Sequence, residues 1–410
     1  MIALDEAQTF VLDNVAPLPI VVMPLDEALG CVLGRTVNAV TNVPSFPNSS
    51  MDGYALRAAD TVGAPVTLRV VGSLSAGHVF PAILAPGEGV RIMTGAPVPQ
   101  GADAICMVEL CEANNDEGTV IVTSEVATGN FIRDPGYDVT VDQVIGEFGT
   151  TLRPTHLGVL AAQGMTMVPV HRRPRLGVLS TGDELFAGKG RLPLGKIRDA
   201  NRHSLLGLIQ DEGWVPVDLG SVPDNQDTLA DTMRRGATSC DALITSGGVS
   251  VGDFDVVRLV LSDVCAGSAR WMQIAIRPAK PFVFGVVAET KMAVFGLPGN
   301  PVSAMVSFEL LVRPAVRRMA GNAGVFRAPV LATALVDITR VPDGKVHYVR
   351  GRLSLDDQGR YLAHPLEGQE SHQLSAMANA NALLILPDGE GVRHGSATRA
   401  LLFSQLTSPH

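Results

Sequence analysis

Three loops in the second half of the chain decide most of what it can fold into. Each follows a short apolar run of strand type. Ser180-Thr181-Gly182-Asp183-Glu184 follows 176–179, and Ser246-Gly247-Gly248-Val249-Ser250-Val251-Gly252-Asp253 follows 242–245. Gly296-Leu297-Pro298-Gly299-Asn300-Pro301 follows 293–295 and leads into a helical pattern with Pro301 at its first position. Helix-period segments fall at 201–211, 225–235, 254–261 and 301–319, and another strand pattern at 214–219. Asn201, either Asp224 or Asn225, and Asn300 are the expected helix caps. Strands that alternate with helices imply a mostly parallel sheet covered on both faces. Such sheets hold ligands at the carboxyl ends of their strands, which is where the three loops lie.

The flanking texture differs. Residues 3–14 read as an amphipathic helix and 24–30 as a second. From Ser45 to about Phe148, glycine, proline and short β-type runs dominate, at 66–71, 89–93, 104–108 and 120–124. A helix at 155–164 returns the chain to the N-terminal layer. After Ala328 the helices are expected to stop, and strands at 330–335, 346–353, 361–364, 382–386 and 399–403 form a sandwich or partly open barrel. The expected fold is multidomain α/β plus β. A linker layer (1–44 and 146–174) and a β-rich domain (45–145) precede the α/β domain (175–327), and a small β domain (328–410) follows it. At roughly 100–200 residues per domain, 410 residues suit that plan.

Composition narrows the function. Net charge is −9, so a general polyanion-binding surface is not expected and nucleic acid is set aside as a partner. No apolar run reaches the length of a membrane span. Met1-Ile2-Ala3-Leu4-Asp5-Glu6 has no basic region before an apolar core, so no secretion signal is expected. The five cysteines form no metal pattern; Cys106 and Cys111 are the closest pair, and all five read as incidental thiols of a reducing cytoplasm.

Glycine lets backbone approach a ligand closely, and free N–H groups at a helix start attract oxyanions. The second loop therefore reads as a phosphate cradle. Asp183 and Glu184 sit at the mouth of the same sheet, where Mg2+ would join carboxylates to a substrate phosphate. The alternatives are a helix cap for Asp183 and a solvated side chain for Glu184, and capping for Asp253 and Asp255. Arg277 and Lys280 offer two cations on a segment stiffened by Pro278 and Pro281, or else a solvated basic turn. Asp52, Thr94, Arg133, Asp134 and Asp138 lie in loops able to carry function, without saying which.

Five segments occur together and in order: Ser50-Met51-Asp52-Gly53-Tyr54-Ala55, Thr94-Gly95-Ala96-Pro97, Ser180-Thr181-Gly182-Asp183-Glu184-Leu185, Ser246-Gly247-Gly248-Val249-Ser250-Val251-Gly252 and Gly296-Leu297-Pro298-Gly299-Asn300-Pro301. On these the chain resembles the molybdopterin molybdenumtransferases, the family of MoeA and the gephyrin E-domain, over about residues 2–403. The resemblance implies an elongated, cytoplasmic homodimer. It also implies a reaction in which adenylylated molybdopterin and molybdate combine, with a divalent cation (Mg2+, with Zn2+ as the alternative), to release AMP. The adenylyltransferase of the same pathway would supply the substrate. By motif, Asp52, Thr94, Asp138 and Glu184 would be catalytic. Ser246, Gly247, Gly248, Ser250, Gly252, Asp224, Arg277, Lys280, Pro298 and Pro301 would bind substrate. Asp183, Glu184 and Asp253 would hold the metal, and Arg350 and Ser371 the molybdate.

The chain departs from that family's pattern at four positions. Pro47 stands where an acid is expected, Arg277 for lysine, Ala279 for glycine, and Glu370 for glycine beside Ser371. Arg is not equivalent to Lys, being planar and bidentate, and Glu370 would oppose an oxyanion. The rival readings are the pathway's adenylyltransferase, whose fold resembles 175–320, a non-catalytic scaffold, and an enzyme for another oxyanion such as tungstate.

Overall fold

The computed structural model describes residues 1–186, 188–248 and 256–403. Ser250, Gly252, Asp253 and Asp255 lie outside the described residues.

A six-stranded sheet forms the centre of the α/β unit. Its order is Val215–Val222, Arg175–Thr181, Ala242–Ser246, Ala293–Leu297, Pro281–Val286, Arg270–Gln273. The first four strands are parallel. Pro281–Val286 runs antiparallel to both its neighbours, and the connection between Val286 and Ala293 is too short for a crossover helix. The strands carrying the three glycine loops are immediate neighbours, and Ser180, Ser246 and Leu297 are in register. All three loops therefore leave the same edge of the sheet side by side. Both faces are buried, one under helix Ala200–Asp211 and the helices after Pro301, the other under Gln226–Ala237 and Val256–Val264.

The helix expected over 301–319 is interrupted. It runs as Pro301–Ser307, a wide π turn Phe308–Val312, and Arg313–Met319. Pro314 explains the break: its ring crowds the carbonyl four residues back and it has no N–H to give that carbonyl. The carbonyl is that of Leu310, and Gln8 Nε2 donates to it at 2.8 Å. The N-terminal helix Leu4–Asp13, expected in the linker layer, packs on the α/β core through Ala7 and Val11. The second expected helix is a single turn, Leu25–Glu27.

Strands Ile20–Pro24, Met167–His171 and Val32–Leu33 pair as one small sheet, over which helix Pro154–Ala162 packs. Between these segments the chain forms a six-stranded sheet ordered Ala104–Met107, Gly53–Leu56, Glu88–Ile92, Val66–Leu74, Thr119–Val122, Cys111–Asn114. At the end of the chain, Val346–Leu355, Tyr361–Pro365, Val330–Ala334, Ala397–Leu402 and Ala382–Leu386 close on themselves as a barrel. One short helix, Leu374–Asn379, interrupts the all-β pattern. Ile276–Arg277, from the α/β unit, adds a sixth strand alongside Val346–His347. Among the described residues no helix is long and apolar enough to cross a membrane.

Candidate active site at the strand-end loops

The three loops meet around a cavity of about 630 Å³. Its walls include Thr181, Gly182 and Glu184 from the first loop, Ser246, Gly247 and Gly248 from the second, and Pro298, Gly299, Asn300 and Pro301 from the third. Asp199, Asn201, Asp224 and His372 complete them. Glycine is required at 247. Its φ is +104°, and an added Cβ would lie 2.5 Å from the Thr181 carbonyl oxygen.

Side chains brace the loops against one another. Asn201 Nδ2 donates to Ser246 Oγ and to the Gly299 carbonyl, both at 2.7 Å. Its Oδ1 is buried without a partner. Thr181 Oγ1 donates to Asp224 Oδ1 at 2.7 Å. Asp199 accepts from Ser180 Oγ, Ser221 Oγ, and the Arg202 backbone and Nε, so its charge is well matched. Asp199, not Asn201, caps the helix Ala200–Asp211, and Asn225, not Asp224, caps the next. Asn300 caps nothing with its side chain, which donates to Ser371 Oγ at 3.0 Å. Asp, Asn, Ser and Thr within two residues of a helix start are equivalent signals in a sequence. The sequence pattern therefore favours Asn201 as the cap no more than it favours Asp199.

Glu184 and Asp224 are carboxylates of the cavity wall without a matching Arg or Lys ion pair among the described residues. Asp183 does not line the cavity; its Oδ1 accepts from the Asp224 backbone at 3.2 Å. No group of three metal-ligating side chains is assembled among the described residues. Hard oxygen donors in ones and twos suit a cation that keeps its waters and takes further ligands from a phosphate.

The remaining expected residues form two other groups. In the β-rich sheet, Asp52 Oδ1 accepts from the Thr94 backbone at 2.7 Å and from Thr94 Oγ1 at 2.8 Å. The Thr94 backbone bond, then its hydroxyl, hold the exposed Asp52 carboxyl below the usual carboxylate range. Asp138 lies on a neighbouring loop anchored by its N–H to the Val43 carbonyl, and its carboxylate has no contact to Asp52. None of the three reaches the α/β cavity within this chain.

The second group lies between the α/β unit and the barrel. Arg350 is fully buried, and its Nη2 donates to the carbonyls of Gly368 and Glu370. Burial pushes its guanidinium down from its usual value, with the Glu370 charge opposing, and Nε has no partner. Arg350 therefore supports the 368–371 strap from beneath and does not reach the surface. Ser371, held by Asn300, ends that strap at the cavity beside His372. The Arg277 guanidinium stands 3.7 Å from the Glu370 carboxylate, so two of the four departures face each other. Ala279, another departure, has φ +76°, the left-handed region that favours the glycine expected there. Arg277 and Lys280 are exposed, and neither lines the main cavity.

Comparison with known proteins covers nearly the whole chain. Residues 2–164 match the MoeA N-terminal region (domains I and II), 177–318 a probable molybdopterin binding domain, and 330–403 the MoeA C-terminal region (domain IV). A molybdopterin molybdenumtransferase of Haemophilus influenzae is 35% identical over 392 residues, covering 95% of this chain and 96% of that one. Molybdopterin molybdenumtransferase 2 of Mycobacterium tuberculosis is 36% identical over 397 residues, covering 95% and 96%. A solved structure of the molybdopterin biosynthesis MoeA protein of Pyrococcus horikoshii superposes with a TM-score of 0.81 at 28% identity, over 98% of this chain and 100% of that one.

Proposed function

The chain belongs to the MoeA family of molybdopterin molybdenumtransferases, and from that premise we propose that it inserts molybdate-derived molybdenum into the dithiolene of adenylylated molybdopterin, releasing AMP. The supporting observation is the single cavity to which three adjacent strand-end loops all contribute. The glycines of the second and third loops at the cavity wall, Gly247, Gly248 and Gly299, would let a phosphate approach the backbone closely. Asn201 fixes the spacing of those loops, and Glu184 and Asp224 supply charge at their rim.

Two unmatched carboxylates beside a phosphate would repel it. A divalent cation, Mg2+ or Zn2+, held by Glu184 and Asp224, with Asp253 of the second loop as a further expected ligand outside the described residues, would offset charge building on the cleaved diphosphate. Ser371 and Asn300 meet where the strap reaches the cavity, and the molybdate oxyanion would lie against them with Arg277 and Lys280. Arg350 shapes that strap. Pro298 and Pro301 set the third loop's path.

Asp52, Thr94 and Asp138 enter this scheme from a second subunit. In a homodimer the β-rich region (45–145) of one chain would face the α/β domain (175–327) of the other. The linker layer (1–44 with 146–174) and the C-terminal domain (328–410) would hold that geometry. The protein would act in the cytoplasm, downstream of the adenylyltransferase that makes its substrate.

The test is to mix the protein with adenylylated molybdopterin, Mg2+ and molybdate, and follow AMP release and active cofactor. Both are expected with the native chain, and both lost in Glu184→Ala with the fold intact by circular dichroism. Bound but uncleaved substrate would refute the reading and favour a scaffold, or an enzyme for another oxyanion, with tungstate tried next.

A further inference from the structure

We propose that Cys106 and Cys111 are an oxidisable dithiol, a site of reversible covalent modification that small-molecule disulfides close to an intrachain bridge. Their sulfurs lie 3.3 Å apart, with the Cys111 thiol donating to Cys106. Cys106 is the next-to-last residue of strand Ala104–Met107 and is fully buried; Cys111 begins strand Cys111–Asn114 and is half-buried. A single turn, Val108–Leu110, separates the strands. The pair is thus one accessible sulfur backed by one protected sulfur, the arrangement of an attacked thiol and its resolving partner. A disulfide needs sulfurs about 2 Å apart, so closure asks for a movement of little more than 1 Å in that turn. The other three cysteines, Cys31, Cys240 and Cys265, are buried and have no thiol partner.

The chemistry balances. The Cys111 sulfur, its proton lost to solvent, attacks the small disulfide, forming a mixed disulfide and releasing one thiolate. Cys106 then attacks the Cys111 sulfur, forming the Cys106–Cys111 bond and releasing the second thiolate. The protein loses two protons and two electrons, and the small disulfide takes up both to become two thiols. In the reduced pair the shared hydrogen bond lowers the Cys106 thiol and raises the Cys111 thiol from their usual values, which slows the first step; once Cys111 carries the mixed disulfide it has no proton to donate, and the closeness of the two sulfurs carries the second.

The turn that would move is tied to the Asp52 loop. The Val108 N–H donates to the Asp52 carbonyl at 3.1 Å, and Tyr54 pairs with Cys106 across the sheet. The inference does not depend on the transfer reaction, since it concerns thiols outside the cavity.

One tryptic peptide, 92–133, contains both cysteines and no others. The full chain is incubated with oxidised glutathione, trapped with iodoacetamide and digested. The expected result is a 92–133 peptide two hydrogens lighter and carrying no alkyl group, restored by dithiothreitol, with the other three cysteines still alkylated. Cys106→Ser should stop at a glutathione adduct on Cys111, and Cys111→Ser should leave Cys106 unmodified. Native chain that stays alkylated at both positions, or that accumulates the adduct without closing, overturns the proposal. So does a Cys111→Ser chain that takes glutathione at Cys106.

Discussion

Asn201 shows what one residue does in this site. A sequence reading makes it a helix cap, because Asn at that offset commonly is one. In the folded chain Asp199 does the capping, and Asn201 instead ties Ser246 to Gly299 across two loops. Removing it leaves the Gly299 carbonyl without that donor and frees the loop spacing. Asn201→Ala is therefore expected to lose about 1–2 kcal/mol of substrate binding, roughly a tenfold rise in KM with a smaller change in kcat. Unchanged KM in a folded variant would mean the loops hold their spacing without it. Glu184 was legible in the sequence as a carboxylate beside a glycine loop; Asp224 read as a possible helix cap and, by resemblance, as a substrate-binding residue. The Asp52–Thr94 bond was not, since 42 residues separate its partners and no local pattern pairs them. Nor was the burial of Arg350, because nothing in a strand's alternation tells an enclosed cation from an exposed one.

Among elements, the alternation of strands and helices from 175 onward was readable because its periods differ sharply. The parallel strands were placed to within a few residues, whereas Arg270–Gln273 and Ile276–Arg277 were not read as strands. The interruption after Ser307 was not foreseen, although Pro314 was in plain view; helical period alone continued across it. The structure resolves the conflict with a wide turn and a distant side chain. Gln8 stands 302 residues from the Leu310 carbonyl it satisfies. Gln8→Ala should leave that acceptor buried and unpaired, at a cost of about 1–3 kcal/mol. The readout is a lower urea midpoint for the α/β unit, with Gln8→Met, which fills the space without a donor, losing a similar amount. If neither moved the midpoint, water or another donor would be meeting Leu310. Of the antiparallel pair Pro281–Val286 and Ala293–Leu297, the second was legible as the apolar run before the third loop. The joining of the pair to a parallel sheet followed from the short connection.

At the scale of the molecule, the order of textures along the chain was visible, but which segments pack together was not. The N-terminal helix reads like part of its own neighbourhood, yet its apolar face lies on the α/β core more than 250 residues away in sequence, for example where Phe10 meets Phe284 edge-on at 6.0 Å. Arg327 is a comparable joint. It reaches Glu309 and Glu212 in the α/β unit and the Leu402 carbonyl in the last strand of the barrel. Pairings at such separations depend on tertiary context that no window of sequence contains. The barrel's sixth strand, Ile276–Arg277, is the feature with the widest reach. It means that the covalent link through 321–329 is not what holds the barrel to the rest. A protease nick in the exposed stretch around Ala323-Gly324 should therefore yield two pieces that elute together from a gel-filtration column and part only in denaturant. Separate elution would show the bond itself to be the fastening. If the pieces stay together, the barrel is a detachable part with a socket: it can be made as a separate chain, swapped for a relative's, and returned to the same seat.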